Sequence, residues 1–272
     1  MLPATCDDAP MPLMPGAEPF AADGGPVGAL LCHGFTGTPQ SLRPWAEHLA
    51  EGGLTVRLPR LPGHGTTWRE MNLTTWEDWY AELARSLDEL LGRCTSVFVM
   101  GLSMGGTLAI RLAEQYGDRV AGLVLVNPSL LTKRPDRVLL PAIRLVVPSV
   151  PGISSDIKKE GVRELAYDRV PLKAAYSLSK LWLVTRTDLG KVTQPILLMR
   201  SAVDHVVEPD SSALLREKVA STDVTEVVLE DSYHVATLDN DAPRIFADSL
   251  EFVRRLAAAG AGGDHAETPS PA

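Results

Sequence analysis

Val97-Phe-Val-Met-Gly101-Leu-Ser103-Met-Gly105-Gly-Thr-Leu-Ala-Ile-Arg-Leu-Ala-Glu-Gln-Tyr116 reads as a short apolar strand running directly into an amphipathic helix. At the junction stands Gly101-x-Ser103-x-Gly105, the spacing of a nucleophile elbow. Its physics is steric. A sharp strand-to-helix turn strains the serine backbone and presents the hydroxyl at the edge of a sheet. Glycines two residues away on either side let the helix and the neighbouring chain approach closely. The helix N-terminus that follows aims N–H groups at any negative charge developing there.

The chain on either side of the elbow predicts alternating strands and helices. Upstream, Glu18 to Ala22 and the turn Asp23-Gly-Gly-Pro26 lead into the continuously apolar Val27–Cys32, the signature of a strand buried on both faces. The loop His33-Gly-Phe-Thr-Gly37 follows. A helix then carries Leu42, Trp45, Ala46 and Leu49, and Gly52-Gly53 stops it. Leu54–Leu58 is the next strand, and Thr74-x-x-Glu77 forms a capping box before a helix spaced by Trp76, Trp79, Leu83, Leu87 and Leu90. Val120–Val126 ends at Asn127-Pro128, Pro195–Arg200 and Thr225–Leu229 are later strands, and a last helix starts near Asp241. Strand–helix alternation implies a mostly parallel sheet covered on both faces.

Residues 131–190 break this rhythm, because prolines 135, 141, 148, 151 and 171 interrupt amphipathic pieces at 138–147, 162–167 and 174–183. They predict an inserted helical cap over one edge of the sheet, which would shield a pocket and set substrate size. The expected organisation is therefore a disordered arm at 1–17, a core at 18–130 and 191–257, the cap at 131–190 and a disordered tail at 258–272.

A serine hydroxyl needs a base, and the base needs an orienting carboxylate. Among the histidines, His48 lies within a helix, His265 in the tail, and His64 in a glycine-flanked loop; His33 is expected to brace its own loop. His234 instead follows the last strand, at the sheet edge where loops from the carboxyl ends of parallel strands gather. Asp204 follows the penultimate strand, so the chain order is Ser103, Asp204, His234. Glu208, Asp231 and Glu230 are the competing acids, and His205 the reserve base. An oxyanion hole needs two backbone donors. Met104, next to the serine, supplies one, and Phe35 the other, with Thr36 as the alternative.

His33-Gly-Phe-Thr-Gly37, Gly101-Leu-Ser103-Met-Gly105-Gly106, the Asp204 loop and Ser232-Tyr-His234-Val-Ala-Thr-Leu-Asp239 together resemble the α/β-hydrolases of the bacterial carboxylesterase and monoacylglycerol-lipase type, from about Glu18 to Leu256. The resemblance implies an α/β-hydrolase fold and a serine esterase acting on short or medium acyl esters or monoacylglycerols. It also implies no cofactor, and it supports Phe35 and Met104 as the oxyanion hole. The same residues would serve a thioesterase, an amidase or a carbon–carbon bond hydrolase, and a non-catalytic ligand-binding protein is the remaining reading. Relatives of this fold that act on epoxides or haloalkanes carry aspartate where Ser103 stands.

Composition narrows the partners. At 272 residues, 45% of them hydrophobic, the chain suits one domain with a large core. A net charge of −8, with no basic cluster, argues against a nucleic-acid partner. Three well-separated cysteines, Cys6, Cys32 and Cys94, form neither a disulfide framework nor a metal-ligand spacing. No apolar run approaches a membrane span, and no basic-then-apolar leader opens the chain, so the expectation is a cytoplasmic enzyme with a small-molecule ester substrate and no stable membrane insertion.

Overall fold

The fold was obtained as a computed structural model, which describes residues 12–152 and 155–263. In chain order it begins with β1 (Phe20–Ala22), β2 (Val27–Cys32), α1 (Arg43–Glu51), β3 (Thr55–Leu58), α2 (Trp68–Met71) and α3 (Trp76–Leu91). It continues through β4 (Ser96–Leu102), α4 (Met104–Tyr116), β5 (Gly122–Val126) and α5 (Leu140–Ile143). A small hairpin, β6 (Ser149–Pro151) and β7 (Arg169–Pro171), precedes α6 (Leu172–Asp188). The chain then forms β8 (Ile196–Ser201), α7 (Asp210–Lys218), β9 (Val224–Leu229) and α8 (Ala242–Gly263).

The main sheet runs β1-β3-β2-β4-β5-β8-β9, with β1 antiparallel and every other neighbouring pair parallel. Side chains alternate between two cores. Leu30, Val97, Val99, Leu123, Leu125 and Leu198 face α3, α4 and α6, while Leu31, Phe98, Met100, Val124, Val126 and Met199 face α1 and α8. This is why the strand sequences are continuously apolar: both faces are covered, and each fully buried aliphatic side chain contributes about 2 kcal/mol. The strand order reverses between β2 and β4, so the loops leaving those strands diverge and open a crevice. The elbow and the His33 loop sit at that crevice.

Several boundaries differ from the sequence expectation. Residues 1–11 of the expected arm lie outside the described residues. Residues 12–17 are packed rather than loose: the Met14 N–H donates to the Gly65 carbonyl at 2.8 Å, and Ala17 is fully buried. The expected tail starts too early, because α8 runs on to Gly263. Ala257, Ala258 and Ala259 have the highest helix propensity and continue a helix already anchored by Ile245 and Val253; residues 264–272 lie outside the described residues. The helix α3 is capped one residue later than expected, at Thr75, whose N–H and hydroxyl both donate to Asp78. The Thr74 hydroxyl is already engaged, donating to the Met71 carbonyl and accepting from the Trp79 indole N–H.

The insertion between β5 and β8 is only partly helical. Its prolines 148, 151 and 171 fall at the hairpin, whose antiparallel pairing matches Ser149 with Pro171 and Pro151 with Arg169. Pro lacks the N–H that a helix interior requires, and it tolerates an edge strand. Residues 162–167, expected as a helical piece, are irregular backbone held by contacts to the core. The Tyr167 N–H donates to the Thr36 carbonyl, its hydroxyl donates to the Gly63 carbonyl, and the Thr66 N–H donates to that hydroxyl. No helix among the described residues is long and apolar enough to cross a membrane.

Candidate active site

The elbow is built by close approach. Ser103 has φ 56° and ψ −119°, a conformation costing an L residue about 1–3 kcal/mol. The backbone around it holds the strain: the Ser103 N–H donates to Val126, and the Ser103 carbonyl accepts from Ser129 and Thr107. A Cβ on Gly105 would stand 1.9 Å from the Cys32 carbonyl oxygen, and one on Gly101 would stand 2.3 Å from the Gly105 backbone. Helix α4 therefore touches β2 and β4 with no room for a methyl group. Gly105→Ala is expected to cost about 3 kcal/mol or more, seen as a fall in Tm of about 6–12 °C; a Tm within a degree of the parent would show that α4 shifts freely.

The candidate acid and base arrive from separate loops. The His234 Nδ1–H donates to Asp204 Oδ2 at 2.8 Å, which in the neutral ring leaves Nε2 free to accept a proton. The other Asp204 oxygen accepts the N–H groups of Val206 and Val207, each at 2.8 Å, so the carboxylate is fixed by its own loop. Burial by itself would raise the Asp204 carboxyl, but the His234 bond and charge and the two N–H donors outweigh it and hold the carboxyl below its ordinary value. Burial would likewise lower the His234 imidazole. The Asp204 bond and charge, helped by Glu164 and Asp156, prevail and hold it above its ordinary value. Ser103 and His234 are both buried, 8% and 6% exposed. They are linked through adjacent residues: Val126 receives the Ser103 N–H, and the Asn127 amide donates to the His234 carbonyl at 2.8 Å.

The competing residues are engaged elsewhere. Glu208 accepts from the Thr132 hydroxyl and the Lys133 N–H, and Asp231 pairs with Lys158. Glu230 is exposed. His205 directs Nδ1 to Asp156, away from Asp204. His33 accepts the Leu61 N–H at Nε2 and meets the Gly34 carbonyl at Nδ1, so both ring nitrogens brace the loop, and burial lowers its pKa to about 4. His64 packs edge-on against His33 and Trp79 and bonds the Pro62 carbonyl.

The His33 loop crosses the crevice from β2. A Cβ on Gly34 would stand 3.6 Å from the Ser103 Cβ, so this loop passes directly over the serine. Among the described residues, neither the Phe35 N–H nor the Met104 N–H meets an acceptor. These are the two donors expected for an oxyanion hole. The Thr36 backbone has φ 62°, and its carbonyl is taken by Tyr167. The Phe35 ring packs edge-on against Trp79, which fixes the loop from behind.

Three further residues shape the site; of these only Asp239 stands in a quoted motif, where it is given no role. Asn127, with φ 45°, bonds Ser201 through both ends of its amide and so ties β5, β8 and the His234 loop together. Its only sequence signal is a polar residue ending a buried strand before a proline. Asp239 is 1% exposed and accepts the N–H groups of Tyr233, Lys158 and Lys159, fastening the insertion to the His234 loop. The Glu164 carboxylate stands 2.6 Å from where a Gly37 Cβ would be. Burial pushes its pKa up to about 7, with His234 pulling the other way. No group of three His, Cys, Asp or Glu side chains spaced for a metal ion occurs among the described residues.

A family model described as serine aminopeptidase, S33 matches residues 28–241, from the strand before the His33 loop to the start of the last helix. The chain belongs to this S33 family of α/β-hydrolases. It is 43% identical over 253 residues to a thermostable monoacylglycerol lipase of Bacillus sp. (strain H-257), covering 90% of this chain and 98% of that protein. It is 26% identical to a carboxylesterase of Bacillus subtilis (strain 168), covering 88% and 97%. Its fold is similar to a solved structure from work on the metagenome-derived lipolytic enzymes LipS and LipT, at a TM-score of 0.87 and 43% identity over 90% of this chain and all of that one. As an S33 α/β-hydrolase, the chain is a serine hydrolase.

Proposed function

We propose that this hydrolase cleaves carboxylic esters, taking monoacylglycerols and short to medium acyl esters, through an acyl-enzyme on Ser103. The observation that carries the substrate class is the 43% identity to a monoacylglycerol lipase over nearly that protein's whole length. The insertion also exposes apolar side chains, Val138, Leu145 and Val146 at 75%, 70% and 81%, which are compatible with a substrate carrying an acyl chain.

In the proposed mechanism, His234 Nε2 takes the Ser103 proton as Oγ attacks the ester carbonyl, and Asp204 stabilises the imidazolium that forms. The Phe35 and Met104 N–H groups receive the oxyanion, each contributing about 3 kcal/mol. As the tetrahedral intermediate collapses, His234 gives its proton to the departing alcohol. Water, deprotonated by His234, then attacks the acyl carbonyl, and the proton returns to Ser103 as the acid leaves.

A panel of monoacylglycerols, p-nitrophenyl esters of increasing acyl length and matched thioesters tests the substrate class. Medium-chain monoacylglycerols and esters are expected to exceed acetyl esters in kcat/KM by about tenfold or more. Negligible rates on every oxygen ester, or faster turnover of the thioesters, would overturn the reading.

A further inference from the structure

The Asp204 loop and the His234 loop leave different strands, β8 and β9, so the pair they form depends on how the loops are held together. Beyond Asn127 and Ser201 at the strand ends, one side chain among the described residues hydrogen-bonds both loops at their tips, and it belongs to neither. Asp156 lies on the return limb of the 131–190 insertion. Its Oδ2 accepts the N–H of His205, next to Asp204, and the N–H of His234, each at 3.2 Å. Its Oδ1 meets His205 Nδ1 at 2.8 Å. Its main-chain carbonyl accepts the Val235 N–H at 3.0 Å. Every acceptor of this residue is therefore spent on the two loops that carry the proposed acid and base. The Asp156 side chain is 10% exposed, and the His205 ring it holds packs edge-on against Tyr233, next to His234, with ring centroids 4.7 Å apart.

We propose that Asp156 is a positioning residue for ester hydrolysis, a clasp from the insertion that sets the His234–Asp204 geometry. The proposal rests on the Ser103–His234–Asp204 reading above. Its physical basis is the steep dependence of a proton-transfer step on alignment, where a misplacement of about 1 Å costs about 100-fold in rate. A backbone N–H bonded at His234 itself fixes the imidazole's Cα, and the bond at His205 fixes the residue beside Asp204. The carboxylate also places negative charge near His234, where Asp204 and Glu164 are the other acidic groups acting on the ring.

The test compares Asp156→Ala and Asp156→Asn with the parent enzyme on a small soluble ester, p-nitrophenyl acetate, so that closure over a long acyl chain plays no part. Asp156→Ala is expected to lower kcat about tenfold or more, with KM changed less than about twofold. Removing the negative charge lowers the proton affinity of His234. Because the base must be neutral, the acid limb of the kcat/KM profile moves to lower pH. Asp156→Asn keeps the shape and one acceptor oxygen, so its kcat falls between the two, and it provides the reading if the alanine variant fails to fold. A variant with parental kcat and an unmoved acid limb, or a loss confined to KM or to Tm, would overturn the clasp. Ser103→Ala and phosphonate labelling run in parallel: if they fail, the proposed triad falls, whereas a neutral Asp156 variant beside an inactive Ser103→Ala sinks the clasp alone.

Discussion

Replacement of Ser103 by alanine is expected to reduce ester turnover by about a million-fold and to abolish covalent labelling by a serine-directed phosphonate. The fold should survive this change. Among the described residues the Ser103 side chain makes no hydrogen bond within the protein, and alanine meets the same strain at φ 56° that serine already carries. The Tm of the variant should therefore lie within a degree or two of the parent. Inactivity then reports lost chemistry and not lost structure. Intact protein mass after phosphonate treatment gives the second readout, one adduct on the parent enzyme and none on the variant. Retained hydrolysis, or an adduct at another residue, would remove Ser103 from the mechanism.

The Asp204→Asn substitution should lower kcat by about 10⁴ while leaving the protein folded. The Asn carbonyl oxygen can still accept the Val206 and Val207 N–H groups that Asp204 now accepts at 2.8 Å, so the loop keeps its turn. What changes is the partner of His234 Nδ1. An amide N–H facing that nitrogen favours the tautomer with the proton on Nε2, which cannot deprotonate Ser103. The charge effect has a definite sign. Burial lowers the imidazole, and Asp204 is the principal group holding it above its ordinary value. With that charge gone the residual activity should retain a neutral His234 to lower pH, so its acid limb moves down. A loss of tenfold or less would pass the orienting role to another acid, although Glu208 and Asp231 are each committed to other partners.

The elbow was legible in the sequence because its constraint is local. Gly101, Ser103 and Gly105 sit within one turn; the Gly101 contact is made by the strand–helix junction itself, and the Gly105 contact by the adjacent strand β2, which any such parallel sheet places there. The Asp204–His234 pair was legible for a topological reason. Residues at the carboxyl ends of parallel strands share an edge whatever the details of packing, and the alternating strands and helices imply such a sheet. The insertion was less legible. Its prolines signalled interruption, yet periodicity at 162–167 suggested a helix where the chain is irregular. The backbone bonds of that segment go to the core, from the Tyr167 N–H to Thr36 and from the Leu165 N–H to the Gln40 side chain, and such bonds leave no periodic trace. The capping box slipped by one residue because Thr74 and Thr75 both satisfy the pattern. Only the packing of Trp79 against the Thr74 hydroxyl separates them.

The sequence by itself determined a parallel sheet covered on both faces, a strained serine at its edge, and an aspartate and a histidine in the loops that end there. Those features follow from side-chain periodicity and short-range sterics, which neighbouring residues encode directly. The tertiary structure decided what holds the loops in register. Asn127, Asp239 and Asp156 reach partners 74 to 107, 6 to 81 and 49 to 79 residues away. A buried carboxylate or amide must find its donors wherever the folded chain supplies them, and that choice is made by packing in three dimensions.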